Sequence, residues 1–289
     1  MCITFIFISD NPDSRYKLII LNNRDESLDR PTLELDWRNG VLSGTDIQDP
    51  EKGTWLGINK LGTVGNLLSI SQPVSTKRLT GVRSRGAIAK DFLESASSSS
   101  SSFFPSLAEQ SDMYNGFQFL GIERNEKNLY EMTSLTNMLV DSVKPRKWPP
   151  GTYVWGNSPP EKPFRKVVEG KKLFEKFVAS LTEESGVEEV IVKLMEIATN
   201  DEKFFPDPQI ALQTQRSPEL CQYLCSIMEK FPLDLLRYGT RSHSIILVDR
   251  DDHVTFYEKR MAQAPQIGRS TVWADKKVTF KLDPPSRNV

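Results

Sequence analysis

Apolar and polar positions alternate in short runs at both ends of the chain, and recur every three or four residues between them. Ile3-Thr-Phe-Ile-Phe-Ile-Ser9 is β-branched and aromatic, Asp10-Asn-Pro-Asp-Ser14 carries turn chemistry, and Lys17-Leu-Ile-Ile-Leu21 resumes a strand. The same pattern predicts three more hairpins: Thr54–Ile58 with Thr63–Leu67, Phe117–Ile122 with Leu129–Thr133, and Ser244–Asp249 with His253–Tyr257. Phe164, Val167, Val168, Phe174, Phe177, Val178 and Leu181 fall at helical spacing, as do Val187, Val190, Ile191, Leu194 and Ala198. A shorter helix is expected from Gly86, carrying Ile88, Ala89, Phe92 and Leu93, and another across Leu220 to Met228.

Strands, then helices, then strands again point to an α+β layered fold built on antiparallel hairpins. The one low-complexity tract, Ser95 to Ser102, holds seven serines and Ala96. It is expected to be a flexible loop between elements. Strands on both sides of it look like parts of one sheet system, so residues 1–289 are expected to form a single domain.

Composition narrows the function classes. The chain has 289 residues, with 37 Lys+Arg against 38 Asp+Glu and a net charge of −1. That balance removes the electrostatic reason to expect nucleic-acid binding. Three cysteines make no disulfide framework, and two histidines leave little for a metal site. The apolar run Ile3 to Ile8 falls far short of the roughly 20 residues of a spanning helix, and it lacks the flanks of a secretory signal. The expectation is a cytoplasmic protein with no metal and no transmembrane segment, open to peripheral association with an organelle.

The candidate chemistry begins at Cys2. Removal of Met1 would leave a cysteine with a free α-amine, and one residue would then supply both nucleophile and base. If residues 9 and 17 pair beside the first turn, antiparallel partners sum to 26 and Cys2 lies opposite Arg24. An arginine beside a thiol favours thiolate. The polar cluster Asn23-Arg24-Asp25-Glu26 ends an otherwise apolar strand, and a carboxylate there could orient the amine or the arginine. The alternative reading is a capped strand end with a solvated ion pair.

Several motifs resemble one family. They are Met1-Cys2, Asn23-Arg-Asp-Glu26, Arg30-Pro31, Leu42-Ser-Gly44, Gly53-Thr-Trp-Leu-Gly-Ile58, Tyr114-Asn-Gly-Phe117, Gly156-Asn-Ser158, Pro206-Asp-Pro208, Tyr238-Gly-Thr-Arg241 and Ile245-Ile-Leu-Val-Asp249. In this order they are similar to the transport and Golgi organisation protein 2 family. The resemblance implies an αββα sandwich of N-terminal-nucleophile hydrolase type with antiparallel sheets, distantly related to penicillin V acylase and bile-salt hydrolase. It implies Cys2 as nucleophile, Arg24 as the early arginine, Asn66 and Asn157 as paired asparagines, and Arg241 as the late arginine. The acylases space their arginine and aspartate three apart. Here Asp25 follows Arg24 directly, which leaves the carboxylate role open between Asp25 and Glu26.

The family resemblance also implies intracellular haem handling, with movement of haem out of mitochondria or other stores, and lipid and Golgi-related roles. Two expectations from different classes follow. One is a haem-trafficking protein with haem as cargo, in which His243, His253, a Cys or a Met serves as axial ligand and Arg83, Arg85 or Arg241 pairs with propionates. The other is a cofactor-free, Cys2-dependent hydrolase of amides or acyl thioesters. The partner in either case is a small molecule, haem or an acyl compound. Cytoplasmic localisation, with mitochondrial or Golgi association, fits both. Cys221 and Cys225, spaced i, i+4 on the helix expected there, read as buried small hydrophobes.

Overall fold

The computed structural model describes residues 1–78, 80–95 and 100–284. The chain begins with β1 (Ile3–Ile8) and β2 (Tyr16–Ser27), then forms β3 (Thr32–Arg38), β4 (Val41–Asp46), β5 (Leu56–Asn59) and β6 (Val64–Ser69). Helices α1 (Gly86–Glu94) and α2 (Ser100–Glu109) precede β7 (Phe117–Arg124), β8 (Tyr130–Thr136), β9 (Arg146–Trp148) and β10 (Gly151–Trp155). Four helices follow: α3 (Arg165–Ala179), α4 (Val187–Ala198), α5 (Pro208–Thr214) and α6 (Pro218–Cys221). The strands β11 (Tyr238–Asp249), β12 (His253–Gln263) and β13 (Val272–Lys281) close the chain. Among the described residues, two antiparallel sheets with six α-helices make the fold α+β, as the residue pattern predicts.

The chain divides into two compact units, Met1–Arg30 with Gly151–Phe280, and Pro31–Pro150 with the segment from Lys281. The first holds a six-stranded sheet in the order β10-β1-β2-β11-β12-β13. Its apolar cluster joins Ile3, Phe5, Ile19 and Leu21 of the sheet to Phe174 and Phe177 of α3 and Leu194 of α4. Helix α3 buries a stripe of Lys166, Val167, Gly170, Phe174 and Phe177 at three- and four-residue spacing. Glu188 and Glu189 in the first turn of α4 sit favourably on the helix dipole.

The second unit holds a seven-stranded sheet that runs β3 to β9 in chain order. Helices α1 and α2 cover it through Phe92, Leu93, Phe104 and Leu107, which cluster with Phe117 and Phe119. The Gly53-Thr-Trp motif has a packing role in this unit. A Cβ on Gly53 would stand 2.3 Å from the Gly86 carbonyl carbon at the start of α1, and Thr54 Oγ1 donates to the Gly44 carbonyl at 2.7 Å.

Helices α1, α3 and α4 and the four hairpins fall where periodicity places them. Two expectations are corrected. Ser100 to Ser102 open helix α2 rather than belonging to a loop, because Phe103, Phe104 and Leu107 give that segment an apolar face; residues 96–99 of the tract lie outside the described residues. The helix expected over Leu220 to Met228 stops at Cys221 and passes into a 3-10 turn, Gln222–Leu224. Its apolar residues are interrupted by Gln222 and Ser226, and Leu220, Gln222 and Tyr223 are only half-buried, so composition supplied the signal there without a stripe. Cys221 and Cys225 therefore share no α-helical face, although Cys225 Sγ donates to the Cys221 carbonyl at 3.1 Å.

Candidate functional site

The β1–β2 register sets the site. Ser9 N donates to the Lys17 carbonyl at 3.0 Å, and Ile3 pairs with Asn23. One further step in that register brings Cys2 opposite Arg24, the pairing expected from the sequence. Side chains alternate between faces. Asn23 reaches the carbonyls of Ala198 at 2.8 Å and Ile227 at 2.9 Å on the helix side. Asn22 reaches Thr4 Oγ1 at 2.8 Å on the other face. Cys2 and Arg24 therefore share the face away from the helices, while Met1 and Asp25 turn toward them.

On the helix side the α-amine of Met1 enters a buried cluster of charge. It lies 2.5 Å from Glu229 Oε2 and 3.2 Å from Asp25 Oδ2, and donates to Tyr238 Oη at 3.2 Å. Lys166 donates from Nζ to Glu229 Oε1 at 2.6 Å and to the Met1 carbonyl at 2.8 Å. Lys166 is 0% exposed and Glu229 1%. Two ammonium groups face two carboxylates, so the cluster balances its charge out of water.

Each member is held by its surroundings. Asp207, of the Pro206-Asp-Pro208 motif, caps α5 through Gln209 N and Ile210 N. Its other oxygen accepts from Arg165 N at 2.6 Å and fixes the first turn of α3, which carries Lys166. Glu229 is set by β11: Thr240 N donates to the Glu229 carbonyl at 2.9 Å, and Glu229 N donates to Thr240 Oγ1 at 2.9 Å. A Cβ on Gly239 would stand 2.6 Å from the Glu229 carbonyl oxygen, so the Tyr-Gly-Thr sequence is what allows this close approach. Thr240 Oγ1 also donates to Asp25 Oδ1, and Tyr238 Oη donates to the Asp25 carbonyl at 3.1 Å.

The geometry separates the two carboxylates left open by the sequence. Asp25 is buried against the amine, whereas Glu26 stays half-buried near Arg24 and Arg30, at 3.9 Å from each. Burial lowers the affinity of Lys166 for its proton, but Glu229 and then Asp25 outweigh it and hold the lysine charged. Burial pushes the Glu229 carboxyl up from the ordinary range. We read the pair as ionic because two ammonium groups lie on that carboxylate.

The thiol departs from expectation. Cys2 Sγ accepts from Asp25 N at 3.4 Å and lies 3.6 Å from the Asp25 carbonyl oxygen. Burial, followed by the Asp25 carboxylate, pushes the thiol up, and the pull of Arg24 is the weakest influence. In this state, with Met1 in place, Cys2 is a thiol rather than a thiolate.

Arg241 is the extra residue of a bulge. Thr240 pairs with Asp25 and Ser242 with Arg24, so Arg241 is re-aimed and its guanidinium donates to the Arg30 carbonyl. Asn157 is buried two residues beyond Trp155, which pairs with Thr4. Extending that register places Asn157 opposite Cys2, and its carbonyl accepts from Gln213 Nε2 at 3.2 Å. The first unit thus brings together Cys2, Arg24 and Asp25, with Asn157 and Arg241 at the same end of its sheet.

The other predicted residues have separate settings. Asn66 belongs to the second unit, where it is fully buried and donates to the Trp55 carbonyl at 3.1 Å. Arg83 lies 3.6 Å from Asp91, and Arg85 donates to the Gly116 carbonyl at 2.9 Å, both also in the second unit. His243 is 1% exposed, stacks on Trp273 and meets Asn23 Oδ1 through Nδ1 at 2.7 Å. Burial depresses it to about 3. His253 is exposed and lies 3.4 Å from Asp249. With Asp251 these two form a trio of groups that could approach a cation.

Lys166, Glu229, Tyr238 and Thr240 were not foreseen as site residues. Lys166 carries the clearest signal: a charge in register with Gly170, Phe174 and Phe177 on the stripe that faces the core.

The arrangement is that of an α+β protein whose first residue lies in a buried charged cluster on the helix side of an antiparallel sheet, with Cys2 and Arg24 on the opposite face. Comparison with known proteins places it further. The model of the Transport and Golgi organisation 2 family matches residues 1–263, and the chain belongs to that family. It is 33% identical over 270 residues to the Transport and Golgi organization 2 homolog of Mus musculus, covering 90% of this chain and 93% of the relative. It is 32% identical to Transport and Golgi organization protein 2 of Drosophila melanogaster, covering 90% and 92%. Among solved structures it is similar to a mutant conjugated bile acid hydrolase from Clostridium perfringens, with a TM-score of 0.49, 11% identity and coverage of 100% of this chain and 99% of that one. No helix among the described residues is long and apolar enough to cross a membrane.

Proposed function

We propose that the chain is a hydrolase of amides or acyl thioesters in which Cys2, made N-terminal by loss of Met1, is the nucleophile. The observation that carries this reading is the charged recess built around Met1, directly next to Cys2, with Cys2 on the same sheet face as Arg24. The neutral α-amine of Cys2 takes the thiol proton, and the sulfur adds to the substrate carbonyl. The carbon–nitrogen or carbon–sulfur bond of the substrate then breaks, and the proton passes to the leaving group. Water cleaves the acyl–Cys2 bond and restores the thiol. Arg24 favours the thiolate, and Asn157 serves as a donor to the oxyanion. Arg241 shapes the entrance.

Protein of defined N-terminus tests this. Species beginning at Cys2, separated by intact mass, are expected to gain an acyl adduct on Cys2 from a thiol-reactive acyl donor. Species that retain Met1, and the Cys2→Ala variant, are expected to gain none there. The absence of an adduct on Cys2 in Met1-free protein would remove the enzyme reading.

Haem handling is a separate proposal, supported by the family resemblance and by one exposed histidine, His253. A Soret titration of the protein and of His253→Ala and Cys2→Ala variants decides it. Without saturable binding, or with an unchanged spectrum in every variant, specific ligation falls. Cytoplasmic placement with Golgi or mitochondrial association is a proposal of the same standing, checked by fractionation.

A further inference from the structure

Met1 is bound as a ligand would be. Its ammonium is held by Glu229 at 2.5 Å, Asp25 at 3.2 Å and Tyr238 at 3.2 Å, and its carbonyl by Lys166 at 2.8 Å. Met1 is 7% exposed, and its side chain belongs to the apolar cluster that includes Ile3, Phe164 and Val167. These are three points of recognition on one small group: a free α-amine, an acyl oxygen and an apolar side chain. We propose that, once Met1 is gone, this recess is a subsite for the aminoacyl part of a substrate, an amide or thioester of an α-amino acid with a methionine-like side chain.

This rests on the hydrolase reading and narrows it. Charge balance supports the amine. Without the Met1 ammonium, Asp25 and Glu229 outnumber Lys166 by one, in a place where unpaired charge is costly. A plain fatty acyl group brings no cation and leaves the new Cys2 α-amine to carry the balancing proton. An aminoacyl group restores the balance from its own ammonium, so the α-amine of Cys2 can stay neutral, which is the form a general base requires. The apolar part follows from volume, since a close-packed core that loses a methionine side chain gains from a ligand that refills the space.

The test uses full-length protein beginning at Cys2, released from an N-terminal fusion and confirmed by intact mass. L-methioninamide and L-norleucinamide are the probes, and 4-(methylthio)butanamide, identical but for the α-amine, is the control. The amines are expected to raise Tm by several degrees and to bind at least tenfold more tightly than the control. Protein retaining Met1 is expected to show neither effect. Equal binding of amine and control, or no binding of either, overturns the subsite. Glu229→Gln, in protein still showing a cooperative thermal transition, is expected to cost methioninamide tenfold or more and the control nothing; an equal loss for both also overturns it. Protein beginning at Cys2→Ala needs no chemistry and is expected to bind the probes as well. If those probes bind while Cys2 accepts no acyl group from any donor, the hydrolase reading falls and the subsite stands. If acyl donors load Cys2 while the amines gain nothing over the control, the subsite alone falls.

Discussion

The two units of this protein bury their cores in different ways. Helices cover one face of an antiparallel sheet in both. In the second unit the seam is aromatic: Phe92 meets Phe103, Phe104 and Phe119 with ring centroids 4.9, 5.9 and 5.3 Å apart. In the first unit the corresponding layer contains aromatic pairs too, Phe5 with Phe174 at 5.4 Å, but it ends in Lys166, Glu229, Asp25 and an α-amine. Apolar packing is non-directional and tolerates exchange of one side chain for another of similar volume. A buried ionic cluster tolerates no partial loss, because removal of one member strands the others. The difference teaches where function is to be sought, since such a cluster has a cost that packing alone would avoid.

The largest expected effect sets the two regions directly against each other. Lys166→Met leaves Glu229 and Asp25 facing the α-amine alone, and is expected to cost ~3–5 kcal/mol in urea unfolding. Phe92→Ala is expected to cost ~3–5 kcal/mol by opening a cavity. The similar totals part in the double variants. Lys166→Met with Glu229→Leu is expected to recover part of the loss, because no carboxylate is then stranded by the missing lysine. Phe92→Ala with Phe104→Ala is expected only to lose more. If the Lys166 and Glu229 losses simply add, the ionic reading of the first unit is wrong.

A pH series sharpens the same contrast. Both histidines fall in the first unit, and His243 is depressed to about 3 by burial, with Lys259 and Lys230 adding to it. Its Nδ1 donates to Asn23 Oδ1, since Asn23 Nδ2 is already committed as donor to two carbonyls. As pH falls below ~6.5, the unfolded chain takes up this proton first and the folded chain does not. Stability from the neutral ring is therefore complete above that pH, and is lost progressively down to about 3, at up to ~1.4 kcal/mol per pH unit. The difference in unfolding free energy between wild type and His243→Gln, followed from pH 7 to 4, is expected to shrink along that slope. A constant difference would show that His243 is not held neutral.

Much of the scaffold is legible in the sequence. The first hairpin register follows from β-branched runs flanking an Asp-Asn-Pro-Asp turn, and it already places Cys2 against Arg24. Helices α1, α3 and α4 follow from periodicity, and motif order through the chain identifies the family. Edge strands were not legible. β13 alternates exposed and half-buried positions without a strongly apolar face, and β9 is three residues long. At the site, Cys2, Arg24 and Asp25 were legible because they lie on one hairpin. The Lys166–Glu229 pair was not, because its members are 63 residues apart and periodicity records which face a residue lies on, never which partner it meets there. The depression of the thiol by Arg24 was expected and did not follow, since desolvation and the Asp25 carboxylate outweigh the pull of the guanidinium.

The smallest expected effect lies at Gly239, and it asks whether the charged recess depends on backbone placement as well as on charge. An added methyl group would meet the Glu229 carbonyl oxygen at 2.6 Å and the Glu229 carbonyl carbon at 3.4 Å, both backbone atoms that cannot rotate away. Gly239→Ala must therefore push residue 229 off β11, breaking the bond from Thr240 N and shifting the carboxylate that holds the α-amine and Lys166. Overpacking of this kind is expected to cost ~1–3 kcal/mol, less than removing Lys166 outright, since all four charges remain. The informative readout is the reactivity of Cys2 toward a thiol reagent in protein retaining Met1. Displacement of Glu229 loosens Met1, and with it the packing of Asp25 over the sulfur, so alkylation is expected to quicken. A control in the second unit, Gly40→Ala, has open space around its Cβ but a φ of +77°, and is expected to lower stability without touching that rate. Equal acceleration in both variants would assign the effect to general loosening, and would remove Gly239 from the construction of the site.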